Sequence, residues 1–180
     1  EDAEEMSTKY GWKLKEQEPG EWRRVVPSPT PLYIFNGRSI KHLVEFGTIV
    51  IAGGGGGIPA YNKADGTLDG LDGVIDKDMT AALLGRVLKA EELFIVTDVD
   101  NIYINFNTSQ QKPISHASAD EVIQWLENGE FGEGSMAPKI RAAIYFLKYH
   151  GQKVVITSLD KIEDAINDKA GTIITNKGNE

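Results

Sequence analysis

The sequence contains no cysteine, and this absence excludes several classes of protein at once. Without thiols there is no disulfide scaffold, no thiolate metal site and no cysteine nucleophile. Histidine is also scarce, because only His42, His116 and His150 are present. Their spacing does not match the HExxH pattern of zinc hydrolases, so we assign chemistry to none of them.

Long hydrophobic runs are missing as well. The apolar stretches are short, such as 93–96 and 154–156, and fall far below the roughly 20 residues that a membrane-spanning helix needs. Four of the first six residues are acidic, which is unlike the basic start of a secretory signal. These absences favour a cytoplasmic protein with no membrane partner.

Basic side chains are outnumbered, since 19 lysines and arginines face 27 aspartates and glutamates, for a net charge of −8. This charge argues against general nucleic-acid binding, which requires a basic surface. A nucleotide remains possible, because backbone amides and one or two lysines can hold phosphates on an acidic protein. The length of 180 residues and a hydrophobic content of 41% suit one compact domain with an appendage.

Short apolar runs alternate with helical patterns along most of the chain. This alternation predicts an α/β fold, a three-layer αβα sandwich with a mostly parallel sheet that binds ligands at the carboxyl ends of its strands. The predicted strands are Thr48–Ala52, Leu93–Thr97, Lys153–Thr157 and Thr172–Thr175, with a possible hairpin at Tyr103–Phe106. The predicted helices lie near 2–10, 40–46, 79–89, 118–128, 139–150 and 160–166.

Five consecutive glycines, Gly53 to Gly57, directly follow the first predicted strand. Glycines let a backbone turn sharply and bring its amides against an anion, although a flexible loop is the simpler interpretation. The run matches neither the dinucleotide pattern GxGxxG nor the phosphate-loop pattern GxxxxGK[ST]. Its place after a strand favours a ligand-binding role.

Two predicted helix starts carry lysines. In the first, Asp76-Lys77-Asp78, we expect Asp78 to cap the helix or to orient lysines that clamp a phosphate. In the second, Pro138 opens the helix and Lys139 lies in its first turn, where the helix dipole disfavours a cation. A bound anion would remove that conflict, so Lys139 is a candidate functional residue.

Five motifs, taken in order, resemble those of the carbamate kinases of the amino acid kinase superfamily, and together they span nearly the whole chain. The resemblance implies an acetylglutamate-kinase-like fold and reversible phosphoryl transfer between ATP and carbamate. Its physiological use would be ATP synthesis from carbamoyl phosphate and ADP in arginine catabolism. It implies Mg²⁺ held mainly through phosphates rather than by protein ligands. The motifs are RRVVPSP (23–29), IAGGGGGIP (51–59), VIDKD (74–78), TDVD (97–100) and FGEGSMAPK (131–139).

The resemblance also implies residue roles. Asp78 would organise the catalytic lysines, Lys77 would lie near the phosphates, and Lys139 would stabilise charge on the transferring group. The remaining implied positions line the substrate and nucleotide sites. They are Gly53, Gly54 and Gly55 beside the carbamoyl and phosphoryl groups, and Asp98, Tyr103, Met136 and Ala137 around the nucleotide.

Carbamate kinases begin with a further substrate domain that these motifs do not include. By resemblance, residues 1–24 are the end of a protruding subdomain and 25–180 are a nucleotide-binding domain, incomplete at the N-terminus. The complete protein would be a homodimer, and we expect little turnover from this chain alone. Two alternatives remain: a non-catalytic nucleotide-binding module, and another amino acid kinase such as acetylglutamate kinase, which the RRVVPSP and DKD stretches disfavour.

Overall fold

A computed structural model describes residues 2–177, which fall into two units. The smaller unit comprises 2–29 and 58–75 and contains one helix and two antiparallel hairpins. The helix predicted near 2–10 is confirmed, and the proline-rich stretch 25–31 forms neither helix nor strand. The elements are α1 (Asp2–Tyr10), β1 (Leu14–Glu18), β2 (Glu21–Arg24), β3 (Ala60–Asn62) and β4 (Leu68–Gly70).

The larger unit comprises 30–57 and 76–177 and contains a four-stranded sheet. None of the helices in the described part of the chain is long and apolar enough to cross a membrane. The helices are α2 (Gly37–Glu45), α3 (Lys77–Leu88), α4 (Ala119–Glu127), α5 (Met136–Lys148) and α6 (Ile162–Ile166), with a 3₁₀ turn at Leu159–Lys161. The strands are β5 (Glu92–Thr97), β6 (Ile102–Ile104), β7 (Lys112–Ile114), β8 (His116–Ser118), β9 (Lys153–Ser158) and β10 (Thr172–Thr175).

The four-stranded sheet has the order β5-β9-β10-β8 and is mostly parallel. The pairs β5–β9 and β10–β8 run parallel, whereas β9 and β10 run antiparallel. Strands β6 and β7 form a separate hairpin, as expected near Tyr103. The alternation of strands and helices therefore predicted the sheet type correctly.

Helices cover both faces of this sheet. Residues of α3, α4 and α5 form the main core with one face, where Phe146 is completely buried. On the other face, Ala165 of α6 packs with Val155 and Ile173. The three-layer αβα sandwich is confirmed. Gly85 lets α3 approach α5, because a β-carbon at this position would lie 2.6 Å from the Phe146 ring.

The prediction of a buried strand at Thr48–Ala52 is wrong for this structure. The segment has no strand assignment, and the side chains of Ile49 and Ile51 are 95% and 100% exposed. A strand requires a neighbour for its backbone hydrogen bonds. No strand in residues 2–177 pairs with this segment, so its apolar β-branched residues remain at the surface.

The carboxyl ends of β5 and β9 lie side by side, since Thr97 pairs with Ser158. The segment that follows β5 is fixed there by side chains. The Ser158 hydroxyl donates to the Asp100 carboxylate at 2.5 Å. The Asn101 amide donates to the backbone carbonyls of Ile114 and Gly171 at 3.1 and 2.7 Å. The edge expected to meet a ligand is therefore an ordered part of the fold.

Helix α4, predicted near 118–128, begins with a capping box. The Glu121 amide donates to the Ser118 hydroxyl oxygen at 3.2 Å, and the Ser118 amide donates to the Glu121 carboxylate at 2.8 Å. Donation from the amide and the hydroxyl of Ser118 holds the pKa of Glu121 below its usual value. A lowered pKa in the folded state stabilises the protein above the usual glutamate pKa. This stabilisation is lost as the pH falls through the lowered value.

Replacing Ser118 by alanine should lower the free energy of unfolding by about 1 kcal/mol at neutral pH, because the cap is lost. This loss corresponds to a melting temperature lower by about 2–4 °C. The deficit should shrink as the pH falls through the lowered pKa of Glu121, because the carboxyl group then becomes protonated in the parent protein as well. Thermal melts at several pH values test this, with the exposed Ser109→Ala as control. A deficit that grows towards acid would contradict the role of the carboxylate.

Candidate active site

Asp76, rather than Asp78, caps helix α3. The Asp76 carboxylate accepts a hydrogen bond from the Met79 amide at 2.8 Å, and Asp76 has the extended backbone of an N-cap residue. The expectation that Asp78 caps the helix is therefore wrong. The cause is a shift of helix start, because α3 begins at Lys77 and places Asp78 inside its first turn. The Asp78 carboxylate is left available for another partner.

That partner is Lys139, which lies 61 residues further along the chain. The Lys139 ammonium donates to the Asp78 carboxylate at 3.0 Å. The two side chains are only 11% and 10% exposed, respectively. Packing of α3 against α5 places the two helix starts next to each other and holds this pair. A nearly buried ion pair is favourable only when its hydrogen-bond geometry is good. Removing one of the two partners strongly destabilises the protein.

Helix α5 begins two residues earlier than predicted. Its first residue is Met136, so Pro138 is the third helical residue and Lys139 the fourth. The lysine still lies at the positive end of the helix dipole. The carboxylate of Asp78 balances this cation within the protein, whereas the sequence alone suggested a bound anion.

The glycine run forms a tight turn with several backbone conformations that favour glycine. Gly53, Gly54, Gly56 and Gly57 all have positive φ angles, of 82°, 48°, 132° and 89°. The Gly56 amide donates to the Gly53 carbonyl at 2.9 Å and closes the turn. Side chains at these positions would strain the backbone, so the glycines are required by the shape of the loop.

The glycine loop is attached to α3 through a residue that the sequence analysis did not identify. The Thr80 hydroxyl donates to the Gly56 carbonyl at 2.8 Å in a buried environment. Thr80 lies two residues after Asp78, so the loop and the Asp78–Lys139 pair share the first turns of one helix. No sequence signal marks Thr80, because a threonine inside a helix usually bonds locally.

Lys77 is the first residue of α3 and has an exposed side chain. It lies beside the helix N-terminus, where unpaired backbone amides and the dipole favour an anion. Gly53, Gly54 and Gly55 are also exposed, so the amide-rich loop is accessible to a ligand. Lys77 and Lys139 thus lie at the starts of α3 and α5, which the Asp78–Lys139 pair joins.

The residues expected around the nucleotide differ in how far their side chains are exposed. Asp98 is exposed and accepts a hydrogen bond from the Thr97 hydroxyl at 3.0 Å, and Tyr103 is half-buried. Met136 is half-buried against the core, whereas Ala137 is completely buried within it. The side chain of Ala137 therefore supports the start of α5, and Met136 is the more accessible of the two.

The chain after β6 is hydrogen-bonded directly to the loop before α5. The Asn105 amide, just after β6, donates to the Glu130 carboxylate at 2.8 Å. Glu130 lies in the loop between α4 and α5 that leads to Met136. The structure thus links the chain after β5 and β6 with the loop that opens α5. Tyr103 lies two residues before Asn105, and Met136 lies six residues after Glu130.

The described residues offer no protein cluster for a metal ion, since no three histidines, aspartates or glutamates come together among them. Mg²⁺ commonly keeps several waters and binds through substrate phosphates with one or two carboxylates.

Comparison with known proteins agrees with the resemblance seen in the sequence. The sequence profile of the amino acid kinase family matches residues 3–158. Carbamate kinase of Thermoplasma acidophilum is 44% identical over 174 residues, which are 96% of this chain and 56% of that protein. Carbamate kinase of Staphylococcus haemolyticus is 44% identical over 97% of this chain and 56% of its own length.

Solved structures extend the agreement to the fold. Carbamate kinase from Giardia lamblia bound to AMP-PNP superposes with a TM-score of 0.85 at 38% identity, over 97% of this chain and 55% of that chain. The chain therefore spans about half the length of the relatives it matches. On the strength of the profile match and the shared fold, the chain belongs to the amino acid kinase family.

Proposed function

We propose that this chain is the nucleotide-binding part of a carbamate kinase, which transfers a phosphoryl group reversibly between ATP and carbamate. The observation that carries the proposal is the nearly buried Asp78–Lys139 pair beside the glycine loop. Relatives that are 44% identical and are named carbamate kinases support the choice of reaction.

The chemistry suits these side chains. Phosphoryl transfer needs little covalent work from the protein, because alignment and positive charge account for most of the catalysis. In the direction of ATP synthesis, an oxygen of the ADP β-phosphate attacks the phosphorus of carbamoyl phosphate, and carbamate leaves with its oxygen. Lys139 would stabilise the negative charge on the moving group, and Asp78 would keep the ammonium in place. Lys77 and the loop amides would bind the adjacent phosphate and carbamoyl oxygens.

The nucleotide would bind at the carboxyl ends of β5 and β9, between segments 97–103 and 134–139. This edge is where open α/β sheets bind ligands. The Giardia lamblia carbamate kinase binds AMP-PNP, an adenine nucleotide analogue. Asp98, Tyr103 and Met136 would contact the nucleotide, and Mg²⁺ would arrive with it and neutralise phosphate charge.

A non-catalytic nucleotide-binding module is the second candidate. The observation that favours it is the contact between the Lys139 ammonium and the Asp78 carboxylate at 3.0 Å, which leaves this lysine less available to a phosphoryl group. A phosphoryl-transfer assay with carbamoyl phosphate, ADP and Mg²⁺, run on the product of the complete gene, separates the two. ATP formation supports the kinase, whereas nucleotide binding without ATP formation supports the module.

We expect the chain to bind ADP with Mg²⁺ at a single site, and calorimetry on the 180-residue chain measures this. Replacing Tyr103 by alanine should weaken binding by about tenfold, in line with the roughly 1–3 kcal/mol that base–aromatic stacking contributes. Ser109→Ala, in an exposed loop, is the matched control and should not change the affinity. Absence of heat with protein shown to be folded would contradict the site.

A further inference from the structure

We infer that Thr80 is a positioning residue that holds the glycine loop against helix α3 in the geometry needed for phosphoryl transfer. Thr80 itself is buried, with 8% exposure, and neither the motifs nor the relatives assign it a role. The inference rests on the proposed function for the identity of the reaction. The positioning itself is carried by contacts within the larger unit.

The hydroxyl of Thr80 satisfies a buried backbone group of the loop. It donates to the Gly56 carbonyl at 2.8 Å, and Gly56 is itself buried. Among residues 2–177, no other group donates to this carbonyl. The Asp76 carbonyl, 3.1 Å from the hydroxyl, already accepts the Thr80 amide. Removing the hydroxyl would leave the Gly56 carbonyl buried and unpaired, which is unfavourable.

The methyl group of the same side chain supports the other end of the turn. A β-carbon at Gly53 would lie 3.4 Å from Thr80 Cγ2, so the methyl group packs beneath Gly53. The turn between Gly53 and Gly56 is closed by the Gly56 amide, which donates to the Gly53 carbonyl. One side chain therefore supports both ends of the closed turn.

This support has a chemical consequence because of where Thr80 lies. Its Cα is two residues beyond Asp78 on α3, and Asp78 holds Lys139 at 3.0 Å. The loop amides and the Lys139 ammonium are consequently fixed to the same helix start. Donors aimed at a transferring group act best when they are preorganised and need no rearrangement during the reaction. Thr80 supplies this preorganisation for the amides of the glycine loop.

Two substitutions separate the functions of the side chain. Thr80→Val keeps the shape and removes the hydroxyl, whereas Thr80→Ser keeps the hydroxyl and removes the methyl group. Thr157→Val is the matched control, because Thr157 is completely buried and its hydroxyl has no partner among the described residues. The control makes the same change of atoms in the same unit without touching the glycine loop.

The first readout is hydrogen exchange of the Gly56 amide, measured by NMR on the 180-residue chain. Thr80→Val should accelerate this exchange by about tenfold, a factor that corresponds to about 1.4 kcal/mol. Thr80→Ser should stay within about twofold to threefold of the parent, and Thr157→Val should match it. If Thr80→Val fails to fold, Thr80→Ala makes the same comparison with Thr80→Ser.

The second readout is functional. Thr80→Val should leave the ADP dissociation constant, measured by calorimetry, unchanged. It should lower the turnover of the catalytically active form by about tenfold or more. Unchanged Gly56 exchange in Thr80→Val, or equal acceleration in Thr157→Val, would overturn the inference. Failure of the proposed function gives a different pattern, in which the parent neither binds ADP nor transfers phosphate while the exchange differences persist.

Discussion

Replacing Lys139 by methionine should lower the turnover of phosphoryl transfer by about a hundredfold or more, as expected when one preorganised donor is lost from a reacting group. Methionine has a similar length and no charge, so the substitution removes the ammonium with little change of volume. The effect should fall on turnover rather than on the Michaelis constant for ADP. The reason is that charge on the moving group is greatest in the transition state.

The same substitution should also destabilise the folded chain by about 3 kcal/mol, the lower end of the cost of breaking a buried pair. The helix dipole alone would have the opposite effect. It disfavours a cation at Lys139, so removing the ammonium would leave the stability unchanged or slightly improved. The structure reverses this expectation, because the Asp78 carboxylate, 10% exposed, would lose its only ammonium partner among the described residues.

Lys148→Met is the matched control, since Lys148 lies in the last turn of the same helix and is exposed. It should change neither turnover nor the free energy of unfolding beyond about 0.5 kcal/mol, as is usual for surface substitutions. Denaturant melts of the 180-residue chain measure the stability, and steady-state kinetics of the catalytically active form measure the turnover. A Lys139→Met variant as active as the parent would exclude a catalytic role for this lysine.

The layers of the fold could be predicted because local signals and tertiary packing agree there. β-Branched runs such as Lys153–Thr157 are buried between helices on both faces, and the helix predicted near 118–128 is present as α4. Thr48–Ala52 carries an equally strong strand signal and is not a strand. A periodic pattern reports the tendency to be buried, whereas strand formation also requires a partner for the backbone.

The motifs of the candidate site could be predicted from the sequence, but the contacts between its side chains could not. Asp78 and Lys139 were identified as candidates both from their places at predicted helix starts and from the resemblance. Their pairing across 61 residues depends on how α3 packs against α5, which no local pattern encodes. The cap at Asp76 was missed because two aspartates flank Lys77, and sequence spacing does not decide which one precedes the helix. Thr80 was missed because its partner, Gly56, lies 24 residues away.

Asp78→Asn tests the other half of the ion pair. Asparagine has the same shape and can still accept a hydrogen bond from Lys139, but it lacks the charge that fixes the ammonium. We expect turnover to fall by roughly a hundredfold, the cost of a small misplacement of a reacting group. The affinity for ADP should change little, because Asp78 orients a lysine and does not touch the nucleotide in the proposed arrangement.

The double variant Asp78→Asn with Lys139→Met shows whether the two residues act as a unit. If they do, the double variant should lose little more turnover than either single variant, because each substitution alone already disables the pair. Its stability should exceed that of Lys139→Met, since no unpaired carboxylate remains buried. If the turnover losses of the two single variants multiply in the double variant, Asp78 does not act by positioning Lys139. The same conclusion follows if Asp78→Asn changes only the Michaelis constant for ADP.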